Sequence, residues 1–154
     1  MSHEVEIGRG KRGRRAYTLD DIALVPARRT RDPEDVNVGW QIDAYHVDLP
    51  LMAAPMDSVM SPETAIAFGR LGGIGVLDLD GLWTRYEDPE PILDQIAHLG
   101  EEESIATLQR VYSEPIKPAL ITERLTQLRE AGVVVAGKLS PQRVQQHWRA
   151  VVEA

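Results

Sequence analysis

The 154-residue sequence contains no cysteine. That excludes a disulfide framework and thiolate metal sites, and it excludes a thiolate nucleophile supplied by these residues. Histidine is scarce and dispersed. His3, His46, His98 and His147 include no i,i+4 pair, which argues against a zinc site and marks them as surface or satisfied side chains. No apolar run approaches the ~20 residues of a membrane span, and the opening MSHEVEIGRGKRGRR lacks the apolar stretch of a secretory signal. A cytoplasmic location is the resulting expectation. Positive charge is outnumbered: the formal net charge is -7, so general affinity for nucleic acid, which needs clustered cations, is not expected.

Hydrophobic residues make up 43% of the chain, enough for a packed core in one ordinary domain. Arg9, Lys11, Arg12, Arg14 and Arg15 form one basic cluster, read as a flexible N-terminal arm over residues 1–16, with a phosphate or partner contact as the alternative. Gly8, Gly10 and Gly13 spell a dinucleotide fingerprint, but that motif works only where a strand feeds a helix. Here the strand before it is four residues at most and charged residues fill the variable positions, so the match carries no weight.

Residues 17–154 carry the periodic patterns. Ile22, Leu24 and Val25, stopped by Pro26, suit a lead-in lying along a surface. Val36, Val38, Trp40 and Ile42 alternate with polar residues, as in a half-buried cap or edge strand. Leu49 to Ala54 is short and uniformly apolar, which predicts a strand covered on both faces, as in a parallel sheet. Ser61-Pro62-Glu63 then starts a helix to about Leu71, stopped by Gly72-Gly73. A second apolar strand, 74-IGVLDLD-80, follows.

Two helical pieces are expected near Ile92–His98 and Glu102–Tyr112, with Pro115 and Pro118 breaking the pattern. Ile121, Leu125, Leu128 and Ala131 share a helical face ended by Gly132. The third strand is 133-VVVAGKL-139, and Ser140-Pro141-Gln142 opens a helix with Val144, Trp148 and Val151 on its buried side.

These elements form a series of βα units on parallel strands. A doubly wound sheet would want a Gly-rich phosphate turn after its first strand, where this chain has Pro55-Met56-Asp57-Ser58. A barrel would gather Asp57, Asp78 and Ser140 on its C-terminal rim, but eight βα units need ~250 residues. The fold expected is therefore α/β, a partial (β/α)8 TIM barrel holding about the first three units, in the N-terminal part of a larger protein.

The segments 18-TLDDIALVP-26, 49-LPLMAAPMDSV-59 and 69-GRLGGIGVL-77, in that order, resemble the N-terminal third of the IMP dehydrogenase/GMP reductase family, most nearly its shorter, IMP dehydrogenase-like bacterial type. The resemblance implies a (β/α)8 barrel, usually tetrameric, that moves hydride between a purine nucleotide (IMP or GMP) and NAD or NADP. A cysteine attacks the purine C2 in that chemistry. Met56 takes the place of a methionine packed near the purine, and Asp57 follows it; Ala54 stands where the family often has a nucleotide-contacting serine. Pro33 falls in a loop that in some relatives reaches a neighbouring subunit's cofactor site. Asp78 and Asp80 replace a histidine-containing, partly basic sequence, which alters the rim's charge. Met56 has a bland alternative as core filler, and Asp57 as the acceptor of a tight turn.

Further expectations follow. No catalytic residue lies in the chain, since the nucleophilic cysteine and the phosphate-binding loops have no counterpart here. Gly81 to Ala119 is too short for the paired regulatory domains of many relatives. The isolated chain is expected to be inactive, to bind NAD or NADP poorly by itself, and to be unstable or self-associating through open sheet edges. A non-catalytic fragment or docking piece is the alternative reading.

Overall fold

The computed structural model describes residues 4–25 and 31–154; His3 and Pro26 lie outside them. The chain divides into two compact units, Met1–Asn37 and Val38–Ala154.

In the first unit, β1 (Glu4–Glu6) pairs antiparallel with β2 (Arg12–Arg14). The alternating Glu and Arg residues that look like a charged arm therefore face one another across a ladder, with Glu4 opposite Arg14 and Glu6 opposite Arg12. Gly8 and Gly10 form the connecting turn at φ 142° and 70°, conformations that L side chains rarely adopt. The glycines of the fingerprint thus serve a hairpin, with no helix behind them. Ile22, Leu24 and Val25 are exposed, and Pro33 opens a single 3-10 turn, Pro33–Asp35.

The second unit begins with a hairpin of β3 (Trp40–Ile42) and β4 (Tyr45–Val47). Its two-residue connection requires a positive φ, which Asp43 supplies at 50°. The alternation from Val36 thus yields a strand only from Trp40, and Val36 and Val38 are half-exposed.

Three parallel strands follow, β5 (Met52–Ala53), β6 (Ile74–Asp78) and β7 (Ala136–Lys138), each beside the next in sequence order. Met52 pairs with Ile74, Val76 with Ala136, and Asp78 with Lys138. Helix α1 (Pro62–Arg70) links β5 to β6. Ser61 Oγ accepts the Thr64 N–H at 3.1 Å, Pro62 sits where no N–H is needed, and Gly72 ends the turn at φ 92°. Between β6 and β7 lie a 3-10 turn (Leu82–Thr84), α2 (Glu90–Ala97), α3 (Glu101–Val111) and α4 (Pro118–Glu130); α5 (Pro141–Glu153) follows β7. The fold is mixed α/β. Among the described residues, no helix is long and apolar enough to cross a membrane.

The core lies between the sheet and the helices, where Leu77 and Leu79 meet Ile121, Leu125 and Leu128 of α4, Ala65 of α1 and Ala150 of α5. Each fully buried Leu or Ile there is worth ~1.5–3 kcal/mol.

Five expectations need correction. Leu49–Ala54 is not covered on both faces: only Met52–Ala53 is strand, and Leu51 and Met52 are more than half exposed, because β5 has one sheet neighbour and helices on one side only. The third strand is shorter than 133–139, since Val133 is drawn aside against Gly69 of α1. Pro118 opens α4 instead of breaking it, at a first-turn position where its missing N–H costs nothing. Helix α5 buries His147 and Ala150, with Val151 partly covered, while Val144 and Trp148 are half-exposed. Its contact row runs His147, Ala150, Val151 and Ala154, the i, i+3, i+4, i+7 spacing of one face turned from the one expected. His147 is therefore neither superficial nor satisfied, since its Nδ1 is buried without a hydrogen-bond partner among the described residues.

Candidate functional site at the strand ends

The two faces of the sheet can be told apart from its glycines. A Cβ on Gly75 would come within 2.6 Å of Ala65 in α1, and one on Gly137 within 2.6 Å of Leu79, so these positions face the helices together with Leu77. Strand alternation then turns Ile74, Val76, Asp78 and their partners Met52, Ala136 and Lys138 to the opposite face. That face is apolar at the bottom and charged at the C-terminal ends of the strands.

The charged end is a connected network. Lys138 Nζ lies 3.2 Å from Asp78 Oδ1 and 3.3 Å from Asp80 Oδ2. Asp80 Oδ2 also accepts the Ser140 N–H at 2.7 Å, so it holds the first turn of α5 against the end of β6. Burial of the amine pulls the Lys138 pKa down, but the two carboxylates outweigh it and leave the pKa above its ordinary value. Ser140 contributes through its backbone: unlike Ser61, its hydroxyl makes no capping bond.

Asp57 follows β5 and is tied down. Its Oδ2 accepts the Leu82 N–H at 2.8 Å and the Tyr112 hydroxyl at 2.5 Å. Its Oδ1 is buried without a partner, close to Gly81, where an added Cβ would sit 2.2 Å away. Burial pushes the Asp57 carboxyl above its ordinary pKa, against the hydrogen bonds from Tyr112 and Leu82 that favour the ionised form. Burial, followed by the Asp57 carboxylate, raises the Tyr112 phenol. Arg85 braces the same corner. It donates to the Asp80 carbonyl at 3.2 and 3.0 Å and to the Glu114 carbonyl, with its guanidinium 5.6 Å from the Tyr112 ring centre.

Met56, Asp57 and Asp78 line one open cavity of about 320 Å³, roofed by Leu93, Ile96 and Leu108 of α2 and α3. Met56 is half-exposed in a tight turn, where its N–H donates to the Ala54 carbonyl at 2.9 Å; Ala54 is exposed beside it. Of the residues singled out from sequence, Met56, Asp57 and Asp78 thus share a cavity, and Asp80 and Ser140 share a hydrogen bond. Pro33 belongs to the first unit.

Sequence reasoning missed Lys138, Tyr112, Arg85 and the Gly81-Leu82 turn. Lys138 had a usable signal, because it ends the third strand as Asp78 ends the second. Tyr112 had none, since its partner lies 55 residues away.

Residues 16–86 match the model of the IMP dehydrogenase / GMP reductase domain. The chain is 43% identical over 146 residues to an oxidoreductase of Mycolicibacterium smegmatis, a match covering 92% of this chain and 39% of that protein. A solved structure, the IMP dehydrogenase/GMP reductase-like protein from Corynebacterium glutamicum, superposes with a TM-score of 0.82 at 41% identity, over 97% of this chain and 42% of that one. Residues 16–86 thus belong with the IMP dehydrogenase/GMP reductase family, and nearly the whole chain resembles the N-terminal portion of an IMP dehydrogenase/GMP reductase-like protein. A 64-residue segment, 42% of the chain, is also 41% identical to the inosine-5'-monophosphate dehydrogenase of Methanocaldococcus jannaschii. The chain corresponds to the N-terminal portion of these longer relatives and spans about two fifths of the first of them. Met56, Asp57, Asp78 and Asp80 lie within the family match, whereas Tyr112, Lys138 and Ser140 lie beyond residue 86.

Proposed function

We propose that these residues form the first arc of a (β/α)8 barrel in a purine-nucleotide oxidoreductase, with the C-terminal ends of β5, β6 and β7 facing the nucleotide. The carrying observation is the cavity that places Met56, Asp57 and Asp78 together at those ends. Three parallel strands in sequence order, with helices on one face, suit an arc that continues in one direction. The half-exposed Met56 thioether offers a polarizable surface to a flat base. Asp57 acts on that surface indirectly, because its carboxylate is already committed to Leu82 and Tyr112, and it positions the Met56 turn. NAD or NADP would exchange hydride with the purine, and the exposed Pro33 turn would contribute to a cofactor site in an oligomer, a tetramer by family pattern. With no cysteine among the 154 residues, the thiolate of the purine adduct has to come from outside them.

The test joins residues 1–154, in one chain, to the C-terminal portion of the Corynebacterium glutamicum protein in place of that protein's own corresponding residues. Nicotinamide absorbance is then followed with IMP and with GMP. The joined protein should turn over one of them, Met56→Ala should raise the nucleotide KM more than the cofactor KM, and the 154-residue chain alone should be silent. A well-folded joined protein that turns over neither nucleotide, or a 154-residue chain active by itself, would overturn the proposal.

A further inference from the structure

Helices α2 and α3 are not held by the core. No residue of α2 is fully buried, and Val111 is the single buried residue of α3. Yet each presents apolar residues at the spacing of one face, Leu93 and Ile96 on α2 and Leu108 and Tyr112 on and beside α3. That face roofs the cavity above Met56 and Asp78.

The pair is fastened at one end. The Tyr112 hydroxyl reaches Asp57, the Tyr86 hydroxyl donates to the Val111 carbonyl at 3.1 Å, and Arg85 lies against the Tyr112 ring. Beyond Tyr112, Arg85 also ties down the Glu114 carbonyl. These contacts join the end of α3 to the β5 loop and to the turn after β6.

The lining indicates what the space accepts. Its walls are mostly apolar, and its ionisable groups are Asp57, Asp78 and Tyr112, with no Lys or Arg among the described lining residues. A phosphate would therefore meet carboxylates and no cation. The volume of about 320 Å³ lies at the lower end of the ~300–1,000 Å³ of small-molecule pockets. It suits one ring system and is too small for a whole dinucleotide.

We infer that the α2–α3 pair is a strap across the ligand site, seated by the Tyr112–Asp57 contact, whose face of Leu93, Ile96 and Leu108 selects a flat, uncharged or cationic heteroaromatic ring. This rests on the functional reading above for its choice of ring. Tyr112 is a positioning residue, and Leu108 a specificity residue in contact with the ring.

Methyl-labelled methionine provides the test in the joined protein, with inosine and 1-methylnicotinamide as ring probes and inorganic phosphate as the comparison. The Met56 methyl signal should shift with at least one ring probe and not with phosphate, while the signal of Met60, 4% exposed in the core, stays in place. Leu108→Lys and Tyr112→Phe alter side chains that are 38% and 39% exposed. Each should weaken ring binding on the order of tenfold, the scale of one lost apolar contact or hydrogen bond, with the Met60 signal unchanged. An unmoved Met56 signal, an equal response to phosphate, or native affinity in both variants would overturn the inference. In the joined protein, unchanged kinetics with Leu108→Lys would sink the strap and leave the functional reading standing. Ring binding by a joined protein that is inactive would do the reverse.

Discussion

Asp57 meets opposing demands at a single carboxylate. Burial favours its neutral form, and the two donors at Oδ2 favour its charged form, with burial prevailing. A raised folded pKa means that Asp57 supports the fold most below its ordinary value of 3.8 and that this contribution is lost as pH rises through the higher folded value. Asp57→Asn, which does not titrate, should therefore gain stability relative to the native chain as pH goes from acid to neutral. Urea melts at several pH values measure this; a difference that stays flat or runs the other way would contradict the burial argument. Gly81 makes the neighbouring test, because a methyl there would collide with Asp57 Oδ1 at 2.2 Å. Gly81→Ala should cost ~1–3 kcal/mol as a packing clash, whereas Gly100→Ala, with nothing within 4 Å, meets no clash and should lose only what Ala gives up to Gly as the N-cap of α3 in the same melts.

Among the elements, two helices share an opening but not its chemistry. Ser61 caps α1 through its hydroxyl, while Ser140 leaves its hydroxyl unused and meets Asp80 through its N–H. Ser61→Ala should cost ~1 kcal/mol and Ser140→Ala markedly less, as read from thermal denaturation; equal losses would show that the second cap forms in solution. The repeated Ser-Pro start was legible in sequence, and so were the α1 stop at Gly72-Gly73 and the buried face of α4, because each rests on local backbone chemistry or a 3.6-residue period. The face of α5 was not. Val144 and Trp148 form a plausible apolar row, but α4 receives the His147–Ala150 row, a choice that depends on a neighbour the local pattern does not contain. The N-terminal hairpin was missed for a related reason: Glu4, Glu6, Arg12 and Arg14 look like solvated charge until they are paired across a turn.

At the scale of the molecule, the sheet has one finished face and one unfinished one. Leu77 and Leu79 are sealed against helices, whereas the other face is covered unevenly: Ile74 is buried, Met52 is more than half exposed, and at the charged ends Lys138 is half-exposed over the largely covered Asp78 and Asp80. The sequence placed Asp57, Asp78 and Ser140 at strand ends by counting elements, and the family motifs pointed to Met56. It could not show that Asp57 is consumed by Tyr112, since that contact requires the end of α3 to come back to the strand ends. The central claim is that the C-terminal strand ends are the ligand side of the sheet. Hydrogen–deuterium exchange on the joined protein, with and without the nucleotide that it turns over, tests this most directly. Protection gained over residues 52–58, 76–82 and 136–140, with α4 unchanged, is the predicted result; protection confined to α4 and α5, with the strand ends unaffected, would contradict it.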